Sequence, residues 1–155
     1  MIKRQWRLLR IAAVAEEYHA ALTAATLLGD KLTADPAYGR IRGWRPRAGR
    51  DFADNLEGTY LVRMYAEFEA GLRDYWKTYL GRDTHPTMVQ LVREAIPNQH
   101  FPKDYIDDAD DVREYRNFLV HDIEEEPPAN MLTFTVQEAK SHLCAYFACL
   151  DPIWK

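Results

Sequence analysis

The sequence predicts an all-α protein, an up-and-down bundle of about five helices that forms a single domain over residues 1–155. Three observations lead to this fold class. Apolar residues recur at three- and four-residue spacing through five segments, which places them on one face of a helix. Helix-capping residues, glycines and prolines stand at the ends of these segments. Residues 131–136 alternate briefly as a strand would, but no second segment alternates to pair with them.

The five helices are predicted at residues 3–28, 54–80, 87–96, 104–121 and 135–150. The first is rich in alanine and ends before Gly29. Its predicted core face consists of Leu8, Ala12, Ala15, His19, Leu22 and Thr26. The second helix has a wide aromatic face and ends at Gly81, and the third begins beside Pro86. The fourth begins in an acidic run, where carboxylates favour the positive end of the helix dipole. The fifth opens with Thr135 and Glu138, a capping box.

The composition is that of a soluble globular protein, with 47% hydrophobic and 28% charged residues. No apolar run approaches the roughly 20 residues that a transmembrane helix needs, so we expect no membrane contact. Cys144 and Cys149 lie five residues apart on the last predicted helix, on different sides of it, which disfavours a disulfide between them. Together these features predict a cytoplasmic protein in a reducing compartment.

The net charge of −4 is unevenly distributed. Residues 1–50 contain ten Lys and Arg against four Asp and Glu, whereas residues 104–155 contain four against twelve. The overall acidity argues against a dedicated duplex-DNA binder. Residues 35–50, predicted as a loop, nevertheless combine arginines with one tryptophan. The candidate RNA-binding residues there are Arg40, Arg42, Trp44, Arg45 and Arg47.

Arginines around an aromatic ring are suited to a single RNA strand, because guanidinium groups hold phosphates while the ring stacks on a base. The alternative is a solvated loop whose arginines pair with the acidic C-terminal third of the chain. Both interpretations remain open from the sequence.

The motifs of nucleotide-cofactor sites, serine hydrolases and zinc peptidases are absent from the sequence. Neither cysteine has a metal-binding partner at the spacing of zinc ligands. We therefore expect neither a metal nor a cofactor. The segment that remains for chemistry is residues 114–122, which contains Arg116, Asn117 and His121.

Arg116 and His121 have the side-chain chemistry of a metal-free ribonuclease. An imidazole, with an ordinary pKa near 6.5, can take the proton of a ribose 2′-hydroxyl or protonate the leaving 5′-oxygen. A guanidinium can stabilise the charge that builds up on the phosphate, and Asn117 can orient either group. Five helical positions separate the two residues by about 140°, so they converge only if the helix ends or bends, or if two subunits share the site. Alternatively, His121 caps its helix and Arg116 pairs with Glu69 or another acid.

Arg116-Asn117-x-x-x-His121 resembles the RNxxxH signature of the HEPN superfamily. The order of elements is also similar: a long helix with Phe68-Glu69, the motif helix, an acidic loop and a capped last helix. The resemblance covers residues 51–150, and residues 1–50 lie outside it. It implies a HEPN-like bundle, and a homodimer in which two motifs line one cleft.

The resemblance further implies a metal-independent endoribonuclease of a toxin–antitoxin or phage-defence system, whose products end in 2′,3′-cyclic phosphate. Arg116 and His121 would be catalytic, Asn117 the polar residue beside them, and Glu69 a supporting acid. The expected partners are RNA, a second copy of the chain, and an antitoxin or a nucleotidyltransferase. Two alternatives stay open: a non-catalytic HEPN-like module that binds a nucleotide or a partner protein, and a helical interaction domain with an accidental motif.

Overall fold

The computed structural model describes residues 3–45, 47–95, 102–121, 126–151 and 154. Within these residues it contains six helices and no strand, so the predicted all-α class is confirmed. The helices are α1 (Lys3–Ala34), α2 (Ala37–Ile41), α3 (Ala48–Asp74), α4 (Met88–Glu94), α5 (Lys103–His121) and α6 (Val136–Ala148). No helix in these ranges is both long and apolar enough to cross a bilayer.

Four of the helices, α1, α3, α5 and α6, form an up-and-down bundle with α3 in contact with the other three. The start of α1 lies beside the end of α3, since Arg10 bonds to Glu67 and Arg7 lies 3.7 Å from Asp74. Leu119, near the end of α5, lies against Gly58 near the start of α3. Both α1 and α5 therefore run antiparallel to α3.

The bundle core is built from large aromatic and aliphatic side chains. The largest fully buried ones are Trp154, Tyr65, Tyr146, Phe68, Phe147, Ile11, Leu61, Met64, Leu72, Leu91, Leu143 and Leu150. The core cluster includes no described residue between 19 and 59. We call residues 20–55 the helical arm: it consists of the second half of α1, α2 and the start of α3. Because Leu119 lies at the level of Gly58, the arm extends from the end of the bundle where α5 finishes.

Several helix boundaries differ from the sequence prediction. α1 continues through Gly29 to Ala34, and the predicted loop at 35–50 contains α2 and the first residues of α3. The physical reason is packing within the arm, where the Leu32 side chain fills the space beside Gly39 and Gly49. The helix predicted at 54–80 begins at Ala48 and ends in a π-helical turn over Tyr75–Tyr79. The loop predicted at 98–103, between the third and fourth predicted helices, falls outside the described residues except for Pro102 and Lys103, and Lys103 already belongs to α5.

The buried face of α1 also differs from the predicted stripe. The buried residues are Ile11, Val14, Ala15 and Ala25, whereas His19, Leu22 and Thr26 are exposed. Beyond Tyr18, α1 extends past the bundle core, and in this part it packs mainly against α3 and α2. The residues of the predicted stripe that lie in the arm therefore have no bundle core to pack against.

Candidate functional site

Arg116 occupies a position on the inward stripe of α5, where the helix pattern calls for an apolar residue. It follows the buried Ala109 and Val112 at helical spacing and precedes the partly buried Leu119. Its side chain is half-buried between α5 and α3, and the guanidinium carbon lies 5.9 Å from the centre of the Tyr65 ring. This distance is within the range of a cation–π contact.

The charge of Arg116 is not neutralised by a carboxylate among the described residues. Its buried Nε atom has no hydrogen-bond partner there. The neighbouring Arg113, one turn earlier on α5, is instead bonded through Nε to Asp110 at 2.6 Å. Buried polar groups without partners are uncommon in folded proteins and call for an explanation, such as a ligand that completes their bonding.

Asn117 connects Arg116 to the side of α5 on which His121 lies. Arg116 donates a hydrogen bond from Nη1 to Asn117 Oδ1 at 3.0 Å. Asn117 and His121 are separated by four positions, the spacing at which side chains of a helix are neighbours. The amide therefore draws the guanidinium around the helix toward the face that carries the histidine.

α5 is helical up to and including His121, which is exposed at its end. No bend before the histidine shortens the separation that helical geometry gives, about 7.5 Å along the axis and about 140° around it. Within one chain, the hydrogen bond to Asn117 turns the Arg116 guanidinium toward the face of α5 that carries His121. The sequence-predicted residues Arg116, Asn117 and His121 therefore share one turn and a half of α5 without meeting at a single point.

Tyr65 on α3 was not among the predicted site residues. Its ring is buried, and its hydroxyl has no hydrogen-bond partner in the described part of the chain. Burial raises the pKa of Tyr65, so the hydroxyl keeps its proton and remains a donor. In the sequence, Tyr65 is a tyrosine on an otherwise apolar helix face. Local patterns do not distinguish such a tyrosine from an ordinary aromatic residue of the core.

Glu69 lies one turn beyond Tyr65 on α3, but its carboxylate faces a different cation. Its Oε1 accepts hydrogen bonds from Arg73, at 2.9 Å from Nε and 2.7 Å from Nη2. This is the i,i+4 pair that the sequence indicates. In the ranges described, no hydrogen bond joins Glu69 to Arg116. The ion pair between these two residues, which the sequence offered as a purely structural role for Arg116, is therefore not formed there.

The predicted RNA-binding residues lie at the tip of the arm, away from α5. Between Gly58, which contacts Leu119, and Gly49 at the tip, α3 rises by about 14 Å. Trp44 and the arginines Arg40, Arg42, Arg45 and Arg47 follow one another over α2 and the turn after it. None of these arginines forms an ion pair within the described ranges, so the pairing with the acidic C-terminal third is not found.

Among the residues described, no cluster of three or more His, Cys, Asp or Glu side chains is placed to hold a metal ion. Comparison with protein-family models, curated proteins and solved structures gives no match for this chain. We therefore base the functional proposal on the side chains of α3 and α5.

Proposed function

We propose that the chain is a metal-independent endoribonuclease in which Arg116, Asn117 and His121 form the reactive site. The observation that carries the proposal is the hydrogen bond from Arg116 to Asn117, made by a half-buried arginine without a carboxylate partner among the described residues. It presents a cation beside the helix face of a solvent-exposed imidazole. A guanidinium without a carboxylate partner and an accessible histidine on the same helix suit a phosphodiester, which needs charge stabilisation and proton transfer.

In the proposed reaction, the ribose 2′-oxygen bonds to phosphorus while the bond from phosphorus to the 5′-oxygen breaks. Neutral His121 takes the proton of the 2′-hydroxyl, and a protonated His121 gives a proton to the leaving 5′-oxygen. Arg116 binds the phosphate oxygens, on which negative charge increases in the transition state. The products are a 2′,3′-cyclic phosphate and a 5′-hydroxyl, with no water consumed.

The angle of about 140° between Arg116 and His121 motivates a homodimer. If two motif helices line one cleft, the arginine of one protomer and the histidine of its partner can reach the same phosphate. Val120 and His121 are exposed at the end of α5, which leaves this end of the helix accessible to a second copy. The toxin–antitoxin or phage-defence setting, with an antitoxin as partner, follows from the resemblance to the HEPN superfamily. The cytoplasmic location follows from the unpaired cysteines and the lack of a transmembrane run in the sequence.

The proposal is tested by incubating the purified protein with structured RNA in EDTA and analysing the ends of the fragments. We expect fragments with cyclic-phosphate ends from the wild type and a loss of about a hundredfold or more in rate for Arg116→Met. Arg63→Met is the matched control, because this exposed arginine lies on α3 and pairs with Glu17. Cleavage that Arg116→Met leaves unchanged would exclude this site.

A second candidate function is a non-catalytic HEPN-like module that binds a partner protein such as a nucleotidyltransferase. The specific observation in its favour is the exposed apolar surface of the arm, where Leu27 is 64% and Ile41 78% exposed. It predicts a stable complex with such a partner and no RNA turnover by wild-type protein at any concentration tested.

A further inference from the structure

We propose that the pocket at the tip of the arm binds a base of single-stranded RNA, with the base stacked on Trp44 and the flanking phosphates held by Arg40 and Arg45. The pocket is separate from the motif site on α5. The choice of RNA rests on the proposed ribonuclease function, whereas the stacking and phosphate contacts follow from the arm itself.

The pocket has a volume of about 370 Å³, which lies within the usual range for small-ligand sites. It is lined by Leu32, Pro36, Gly39, Arg40, Trp44, Arg45 and Gly49. The lining thus combines an aromatic ring, two guanidinium groups and a glycine-rich backbone. A nucleotide presents the matching groups, a flat ring and a phosphate.

The tryptophan is held in place although 40% of it is exposed. Its backbone N–H donates to the Gly39 carbonyl at 3.0 Å, in a turn that requires the positive φ of Gly43. The indole lies close against Gly39, at 3.8 Å from the position that a Cβ there would take, and the Tyr38 ring meets it edge-on at 6.2 Å. A ring fixed in this way loses little conformational freedom when a base stacks on it.

The charge around the pocket is uncompensated. Residues 36–50 contain five arginines and no Asp or Glu, and none of these arginines forms an ion pair within the ranges described. Elsewhere in the bundle, Arg10, Arg73 and Arg113 are each paired with a carboxylate. Such a concentration of free positive charge beside an exposed aromatic ring favours a polyanion with bases over an apolar protein segment.

The position of the pocket is compatible with one RNA strand that reaches both sites. The arm extends from the end of the bundle at which α5 finishes, and the tip lies about 14 Å beyond Leu119 along α3. This length corresponds to about four nucleotides at 3.4 Å per stacked nucleotide. Arg45 also lines a second groove of about 530 Å³ that continues between α1 and α3 to Tyr60.

The test measures the affinity of a fluorescent 12-nucleotide oligouridylate by anisotropy, with His121→Ala as the parent protein so that cleavage does not interfere. We expect Trp44→Ala to weaken binding about tenfold or more, since each stacked base contributes substantially to single-strand affinity. Trp44→Phe keeps a ring and should retain most of the affinity. Trp6→Ala is the matched control: Trp6 is 38% exposed and stacked with Arg7, but its neighbouring arginines pair with Asp74 and Glu67.

The binding of phosphates by the two arginines is tested through the salt dependence of the affinity. Replacing Arg40 and Arg45 by Gln should lower the slope of log affinity against log salt by about 0.7 for each phosphate that the variant no longer binds. Arg63→Gln, which removes an exposed arginine of the bundle, should leave the slope unchanged.

Three results would overturn the proposal. The first is a Trp44→Ala variant that binds the oligouridylate as tightly as its parent, and the second is tighter binding of oligothymidylate of equal length than of the RNA. The third is dissociation of protein dimers by Trp44→Ala without a change in RNA affinity, which would assign the tip to a protein interface.

Cleavage of a dinucleotide separates this proposal from the ribonuclease proposal on which it rests. A dinucleotide is too short to reach the arm, so its cleavage by the wild type, and the loss of that cleavage in His121→Ala, report on the motif site alone. Failure of the ribonuclease proposal is therefore distinguishable from failure of this one.

Discussion

The replacement Arg116→Met separates a functional arginine from a structural one, because it should leave stability almost unchanged. Methionine fills a similar volume on the inward stripe of α5. The change relieves the cost of a buried donor without a partner, about 1–3 kcal/mol. It also removes the hydrogen bond to Asn117 and the contact with the Tyr65 ring, each worth about 1 kcal/mol. These effects nearly cancel, so we expect the free energy of unfolding to change by less than about 1 kcal/mol.

Arg113→Met, one turn earlier on the same helix, is the matched comparison. Its side chain is 15% exposed and bonded to Asp110, which is 14% exposed. Without the Arg113 guanidinium, the Asp110 carboxylate keeps only Arg93, whose Nη2 lies 3.3 Å from Asp110 Oδ2. We expect this loss to lower the free energy of unfolding by about 2 kcal/mol. Urea unfolding followed by circular dichroism measures both variants. Equal destabilisation by the two replacements would refute the view that Arg116 is held free for a ligand.

Two glycines and two carboxylates provide the remaining predictions. Gly71→Ala should destabilise by about 1–3 kcal/mol, because its Cβ would collide with the ring of the fully buried Phe147. Gly29→Ala, inside α1 with no atom near its Cβ, should stabilise by up to about 1 kcal/mol, and urea unfolding measures both. A hydrogen bond from arginine lowers the pKa of Glu67 below its ordinary 4.5, so this carboxylate stabilises the fold above that value. The stability difference between wild type and Glu67→Gln should therefore shrink as the pH falls from 6 to 3. Burial and neighbouring acids raise the pKa of Asp111, so Asp111→Asn should stabilise at pH 7 and lose this gain below its ordinary value of 3.8.

The helices that the sequence predicts accurately are those whose ends are specified locally. α6 begins after Thr135 because the Thr135 and Glu138 side chains and backbones bond reciprocally, as the capping-box pattern predicts. α5 begins at the edge of the acidic run and ends at His121. The predicted end of α1 was wrong because Gly29 is a local stop signal, whereas the packing of Leu32 against Gly49 across the arm is not local.

The same distinction applies to the candidate site. The contact between Arg116 and Asn117 joins adjacent residues of one helix and lies within reach of local reasoning. Tyr65 comes from a different helix, and only the packing of α3 on α5 brings it to the arginine. Trp154 shows the limit for the core: it follows the last helix, outside every periodic segment, and is fully buried against Tyr75.

The central claim, that the motif of α5 cleaves RNA, is tested most directly by comparing His121→Ala with His85→Ala in one RNA cleavage assay with EDTA. Both histidines are exposed, but His85 lies in the loop before α4. We predict that His85→Ala cleaves as the wild type does and that His121→Ala loses at least about a hundredfold in rate, the usual contribution of a general acid or base. Equal cleavage by His121→Ala and the wild type would contradict the proposed mechanism.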